Sequence, residues 1–132
     1  FLVLLEIEIK KQTTNRSSLL NVAIESLEKF KAQDIVKIDL SGKTSIADFM
    51  LIASGTSSRQ IRAMAEHTVT MIKKNIKVPV NIEGLNQGDW VLIDSGDIII
   101  HLFRPEVREF YNLEKMWQIS SIQDTKTDNL EI

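Results

Sequence analysis

Two serines that follow a glycine are the first candidates for chemistry in this sequence. Gly55, Thr56, Ser57 and Ser58 lie between an apolar run and a predicted helix, where backbone N–H groups can bind a phosphate. Capping of the helix by Ser and Thr is the commoner use of such residues. Because no Walker-type lysine follows the glycine and no G-x-G-x-x-G pattern is present, the sequence favours capping and leaves phosphate binding as an alternative.

A serine nucleophile would need a neighbouring base. The chain has two histidines, His67 on a predicted helix and His101 within an apolar predicted strand. Spacing in the sequence does not show whether either meets Ser57 or Ser58, and there is no G-x-S-x-G elbow. The absence of cysteine excludes disulfides, thiol catalysis and Cys-ligated zinc. We therefore expect no catalytic residue, and we interpret His101 as a buried or half-buried side chain.

Three aspartates could together hold a divalent cation. Asp89, Asp94 and Asp97 flank two predicted strands. A metal-dependent nucleotidyl transferase would instead need Asp-x-Asp on one strand, so that both carboxylates share a face. The separation of Asp94 and Asp97 by Ser95 and Gly96 is typical of a turn. The sequence thus predicts no metal ion and no cofactor.

Most of the aromatic side chains of the protein lie between positions 90 and 117, together with many acids. Trp90 and Asp94 share one strand face by period-two spacing, and Tyr111 follows on the last predicted helix. Trp and Tyr are favoured anchors of protein interfaces. Between Glu83 and Glu114, only Arg104 and Arg108 oppose the acids, which are Glu83, Asp89, Asp94, Asp97, Glu106, Glu109 and Glu114. Such a surface suits a partner rich in Lys and Arg.

The elements that must position these residues follow from periodicity and turn chemistry. Apolar residues recur at helical spacing over residues 20–30 and 61–72, and they alternate over 36–40 and 90–94. Residues 49–54 are apolar on both faces, which indicates a central strand, and Pro79 favours an edge position for the strand that follows. Ser95 and Gly96 predict a hairpin. Pro105 is expected in the first turn of a last helix that carries Phe110, Tyr111 and Trp117.

These elements predict one α/β domain, in which helices flank a single mixed sheet in the order α-β-β-α-β-β-β-α. The 132 residues suit one domain, and we divide them into an N-terminal extension (1–18), the α/β domain (19–119) and a polar tail (120–132). A net charge of −2 disfavours binding of DNA or bare RNA by the whole surface. No run reaches the roughly 20 apolar residues of a membrane helix, and the opening apolar run is too short and too acidic for a signal peptide. We therefore expect no membrane partner and a cytoplasmic location.

Three blocks of the sequence resemble one known family when they are taken together and in order. They are "DFMLIASGTSSRQ", "DWVLIDSGDIIIHLF" and "REFYNLEKMW". In this combination the chain is similar, from about residue 20 to residue 117, to the ribosomal silencing factors, also called Iojap-like or RsfS proteins.

The resemblance implies a nucleotidyltransferase-like fold without transferase chemistry. It also implies binding to the large ribosomal subunit through the large-subunit ribosomal protein numbered fourteen, which would block joining with the small subunit and repress translation. The family's contact region corresponds here to Trp90, Asp94, Asp97 and Tyr111. Two other functions remain open. One is a phosphate-handling or nucleotidyl-transferring enzyme that uses the loop at Gly55 and the cluster of Asp89, Asp94 and Asp97. The other is a homodimeric scaffold that pairs through the edge of the hairpin.

Overall fold

The computed structural model describes residues 18–115 as one sheet with three helices. Helix α1 covers 18–29 within the described residues. The elements after it are β1 (Gln33–Asp39), β2 (Phe49–Ser54), α2 (Ser58–Asn75), β3 (Asn81–Glu83), β4 (Trp90–Asp94), β5 (Ile98–Phe103) and α3 (Pro105–Tyr111). This order is the predicted one. Residues 1–17 of the proposed extension, the proposed tail and Trp117 lie outside the described residues, and residue 18 belongs to α1.

The sheet has five strands in the order β1-β2-β5-β4-β3. Strands β2 and β5 are parallel, and the other three neighbouring pairs are antiparallel, so the predicted mixed α/β sheet is confirmed. The apolar strand β2 is central, as expected. The short strand β3 lies at an edge, shortly after Pro79, whose missing N–H cannot contribute to a sheet ladder.

The two faces of the sheet are buried in different ways because side chains alternate along each strand. On one face, residues such as Leu51, Val91 and Ile100 pack against α1 and α2 in the main core. On the other face, Ile52 and Phe103 form a second core with residues of the β1–β2 connection and of α3. Trp90 and Leu92 border this second core as partly buried side chains, so β4 carries the predicted contact residues on the face opposite α1 and α2.

The last helix is interrupted where the sequence pattern predicted one continuous helix. Helix α3 ends at Tyr111 because Asn112 adopts a left-handed conformation, with φ 49° and ψ 50°, which Asn tolerates better than most residues, and residues 113–115 are helical again. Glu114 therefore does not continue the helical face of Val107 and Phe110. Its carboxylate instead accepts a hydrogen bond from Nε of Arg108.

Arg108 also fastens α3 to the sheet. Its Nη1 donates to Oγ of Ser54, the last residue of β2, at 2.8 Å. The Arg108 and Glu114 side chains are 11% and 24% exposed. This half-buried network places Tyr111, three residues further along α3, above the start of β4.

Candidate functional site

Trp90 is the centre of an aromatic cluster at the start of β4. Its ring centroid lies 4.7 Å from that of Tyr111, 5.0 Å from that of Phe103 and 5.9 Å from that of His101. Tyr111 remains 50% exposed, while Trp90 is half-buried. The cluster thus joins β4, β5 and α3 and leaves one tyrosine face open to a partner.

The indole of Trp90 is hydrogen bonded inside the protein. Its Nε1–H donates to Nδ1 of His101 at 3.0 Å. His101 is 8% exposed, and this burial lowers its pKa from 6.5 to about 4, because removal from water disfavours the imidazolium. The imidazole is therefore neutral at physiological pH and has a nitrogen that can accept a hydrogen bond from the indole N–H. The interpretation of His101 as a buried strand residue is confirmed.

Asp94 and Asp97 lie at the opposite end of the hairpin. Oδ1 of Asp94 accepts from the backbone N–H of Gly96 at 2.9 Å, and Gly96 has a positive φ of 90° that favours glycine. The backbone oxygen of Asp97 accepts from the N–H groups of Asp48 and Phe49. Asp94 lies four residues after Trp90 along the strand, a distance of about 13 Å. The four predicted contact residues therefore form two pairs at the two ends of one sheet face.

Two adjoining surface clefts lie between Trp90 and Asp94. Register pairs Glu83 with Leu92 and Asn81 with Asp94, so these residues share one face of β3 and β4. A cleft of about 290 Å³ is lined by Glu83, Gly84, Trp90 and Leu92. A second cleft of about 270 Å³ is lined by Asn81, Ile82, Glu83, Leu92 and Asp94. We call this continuous surface, formed by Asn81, Glu83, Trp90, Leu92 and Asp94, the β3–β4 cleft.

Sequence reasoning did not assign Glu83 to the site, although it counted Glu83 among the acids of this region. The pairing of Glu83 with Leu92 is set by the register between β3 and β4. Gly84 makes this approach possible, because a Cβ atom at that position would lie 2.2 Å from the backbone oxygen of Trp90. The positive φ of 82° at Gly84 is a further reason for glycine there.

The ion pairs of the region leave the cleft negatively charged. Arg104 lies 3.5 Å from Asp89 and 2.6 Å from Glu106, and Arg108 pairs with Glu114. Within residues 18–115, the structure gives no ion pair to the carboxylates of Glu83, Asp94 or Asp97. No cationic side chain lines either part of the cleft, so the surface combines unneutralised acids with apolar Trp90 and Leu92.

The predicted capping role of the Gly55 loop is confirmed. Ser57 is the N-cap of α2, and its Oγ accepts from the backbone N–H of Gln60 at 3.1 Å. The Gln60 side chain returns to the loop, where its Oε1 accepts from the backbone N–H and the hydroxyl of Thr56 at 2.6 and 2.7 Å. Its Nε2 donates to the backbone oxygen of Phe30. This reciprocal arrangement resembles a capping box.

Replacing Ser57 with alanine is expected to destabilise the protein without weakening partner binding. Loss of an N-cap side chain costs about 1 kcal/mol, because the N–H of Gln60 loses its acceptor. Chemical denaturation should measure this loss, and Ser57→Asp should recover it as the matched control. A Ser57→Ala protein with unchanged stability and lost binding would instead assign the loop to the functional surface.

The residues proposed for enzymatic chemistry are only partly brought together, since Ser58 contacts Asp89 but not Asp94 or Asp97. Asp89 lies before Trp90, at the other end of β4 from Asp94, and it interacts with Arg104 and with the hydroxyl of Ser58. Among residues 18–115 there is no cluster of three or more His, Asp or Glu arranged to hold a metal ion. The ring of His67 packs on Phe30, with 4.6 Å between centroids. In this part of the chain the structure gives neither histidine a hydrogen bond to Ser57 or Ser58.

The free hairpin edge on which the homodimer hypothesis rested is absent. Strand β4 is flanked by β3 and β5, and β5 is flanked by β4 and β2. The edges of the described sheet are β1 and β3. Because β3 pairs with residues 92–94 of β4, the hairpin is not an edge of the described sheet, and that basis for dimerisation was wrong.

None of the helices in the described part of the chain is both long and apolar enough to cross a membrane. The longest of them, α2, covers 18 residues and carries charged side chains along its exposed face.

Comparisons with known proteins identify close similarity over most of the chain. The family model described as "Ribosomal silencing factor during starvation" matches residues 12–131. A ribosomal silencing factor of Zymomonas mobilis is 53% identical over 116 residues, which cover 87% of each chain. A mouse protein named "Mitochondrial assembly of ribosomal large subunit protein 1" is 38% identical over 108 residues, which cover 80% of this chain and 47% of the mouse protein.

A crystal structure of a Chromobacterium violaceum protein has the same fold. It superposes with a TM-score of 0.74 at 37% sequence identity, and the match covers 77% of this chain and 85% of that protein. The likeness in sequence therefore extends to the arrangement of the sheet and helices. With the family match over residues 12–131, it shows that this chain belongs to the ribosomal silencing factor (RsfS) family, which includes the Iojap-related proteins.

Proposed function

We propose that this protein binds the large ribosomal subunit through the large-subunit ribosomal protein numbered fourteen and thereby blocks joining with the small subunit. Repression of translation follows, because only joined subunits translate. Membership of the silencing factor family supports this proposal, and so does the mouse relative whose name refers to assembly of the ribosomal large subunit. The β3–β4 cleft is the observation that links the proposed function to particular residues.

The charge of the cleft favours a basic protein over bare RNA. Glu83 and Asp94 line it without a cationic neighbour, and Asp97 is exposed in the adjoining turn. An RNA backbone carries negative charge and would be repelled, whereas Lys or Arg side chains of a ribosomal protein would be attracted. The partner protein would therefore provide the contact, and the charge of the cleft would fix its orientation.

The aromatic end of the cleft would supply most of the binding energy. Trp90 and Tyr111 contact each other and offer a large, rigid apolar surface, and such side chains lose little conformational entropy on binding. An apolar anchor at one end and acids at the other is a common division of roles in interfaces. We propose stoichiometric binding without turnover, since Ser57, Asp89 and the two histidines already make structural contacts.

Charge reversal at Asp94 is expected to weaken binding to large subunits by about tenfold at low salt, because like charges would then face each other. Co-sedimentation with separated large subunits, small subunits and joined ribosomes measures this change. Wild-type protein should sediment with free large subunits only and should prevent their joining. Asp94→Lys should also reduce the dependence of binding on salt, since the screened attraction is lost.

Glu66→Lys provides the matched control. Glu66 is exposed on α2, on the other side of the sheet, and its reversal changes the net charge by the same amount. This variant should bind like wild type. The proposal fails if wild-type protein prefers small subunits, or if Glu66→Lys weakens binding while Asp94→Lys does not. Binding to the isolated ribosomal protein fourteen tests whether that protein is the direct partner.

A further inference from the structure

The Trp90 indole is hydrogen bonded to a side chain that is itself buried. Rotation about the bond between Cβ and the ring has broad energy minima, so an indole can present either edge to its surroundings. In this protein Nε1 lies 3.0 Å from Nδ1 of His101, beneath the surface of the sheet. Because the indole has one polar atom, this hydrogen bond leaves only carbon atoms for contact with a partner.

His101 is well suited to accept this hydrogen bond. Its neighbours in register are Ile52 on β2 and Leu92 on β4, and its ring stacks on Phe103 at an interplanar angle of 8°. These apolar neighbours favour the neutral imidazole, which has one acceptor and one donor nitrogen. A charged imidazolium would have two N–H donors and no nitrogen to accept a hydrogen bond from the indole.

We infer that His101 is a positioning residue for partner binding: its Nδ1 accepts the Trp90 N–H and holds the indole in the orientation that the partner contacts. This inference rests on the proposed function, because it requires Trp90 to touch the partner. His101 itself remains buried beside Phe103. The hydrogen bond acts by preorganisation, since an indole already fixed in its bound orientation loses less freedom when the complex forms.

Two substitutions separate the hydrogen bond from the bulk of the ring. His101→Leu removes the hydrogen-bond acceptor and fills the apolar environment with an apolar side chain. His101→Asn also loses the ring but can place a carbonyl oxygen near the position of Nδ1. Binding to large subunits should weaken by about tenfold for His101→Leu, and His101→Asn should recover most of that loss.

The indole N–H resonance in the nitrogen–proton NMR spectrum reports the hydrogen bond in the free protein. The chain has two Trp residues, and the signal of Trp90 is the one that disappears in Trp90→Phe. We expect His101→Leu to move this signal upfield and His101→Asn to leave it near the wild-type position. Both variants are compared with wild type at a temperature where all remain folded.

A double-substitution cycle decides whether His101 acts through Trp90. Trp90→Phe keeps an aromatic ring but has no N–H to donate. In that background His101→Leu should cause no further loss of affinity, because the hydrogen bond is already gone. An equal loss in both backgrounds, or wild-type affinity for His101→Leu, overturns the inference.

The same measurements distinguish a failure of the proposed function from a failure of the inference about His101. If wild-type protein does not bind large subunits at all, the proposed function is wrong, and the role of His101 in partner binding falls with it. The NMR signal of Trp90 would still show whether His101 holds the indole in the free protein. If wild type binds and the signal does not respond to His101→Leu, only the positioning role is wrong.

Discussion

Replacing Trp90 with alanine is expected to weaken binding to the large ribosomal subunit by about 2 kcal/mol, or about thirtyfold. The change removes the largest apolar side chain of the β3–β4 cleft and the ring on which Tyr111 packs. Truncation of an aromatic anchor at the centre of an interface typically has an effect of this size. Sedimentation equilibrium or fluorescence titration with purified large subunits would measure it.

Trp90 also contributes to the second core, so its replacement affects stability as well. It packs on Phe103 and donates to His101. Tyr111→Ala separates the two effects, because Tyr111 is half exposed and its loss should reduce affinity with little change in the unfolding midpoint. Met71→Ala, on α2 at the other side of the sheet, is the control for loss of an apolar side chain. Circular dichroism verifies the fold of each variant.

Wild-type affinity in folded Trp90→Ala and Tyr111→Ala proteins would place the interface elsewhere. The groove between α1 and α2 would then be the next surface to test. It is lined by Val22, Glu25, Ser26, Lys29, His67, Met71 and Asn75.

Acidification is expected to destabilise the fold through His101. Burial lowers the pKa of His101 from its ordinary value of 6.5 to about 4, so between these pH values the unfolded chain binds a proton that the folded chain does not. The stabilising contribution is therefore complete above about pH 6.5 and is lost as the pH falls towards 4. A pKa difference of about 2.5 units corresponds to about 3 kcal/mol.

Denaturant unfolding at several pH values between about 7 and 4 tests this linkage. His101→Leu should be less dependent on pH than wild type over this range, because the titrating group is gone. His67→Gln is the matched control, since it removes the other histidine and keeps His101. Equal pH dependence in wild type and His101→Leu would show that His101 is not held neutral by the fold.

Much of the fold follows from local sequence. Alternation of apolar residues placed Val91 and Ile93 on one face of β4 and Trp90, Leu92 and Asp94 on the other, and the structure has this arrangement. Ser57 caps α2, Gly96 makes the hairpin turn, and Pro105 occupies the first turn of α3. These features depend on interactions within a few residues of each other, where side-chain chemistry limits the backbone directly.

The end of α3 was not foreseen because two signals compete there. Apolar spacing through Val107, Phe110 and beyond favours a longer helix, whereas Asn112 tolerates a left-handed conformation that ends it. The ion pair between Arg108 and Glu114 and the hydrogen bond from Arg108 to Ser54 favour the shorter helix. The second of these contacts joins residues that are distant in sequence, so periodicity could not predict it.

The sequence by itself determined the family, the strand faces and the local turns and caps, because each depends on neighbouring residues or on a contiguous motif. Tertiary structure alone decided the pairing of β3 with β4, which placed Glu83 beside Leu92. It also placed β2 and β3 on the two sides of the hairpin. Strand register and sheet order result from packing between distant segments, where many pairings satisfy the same alternation and only the complete core selects one of them.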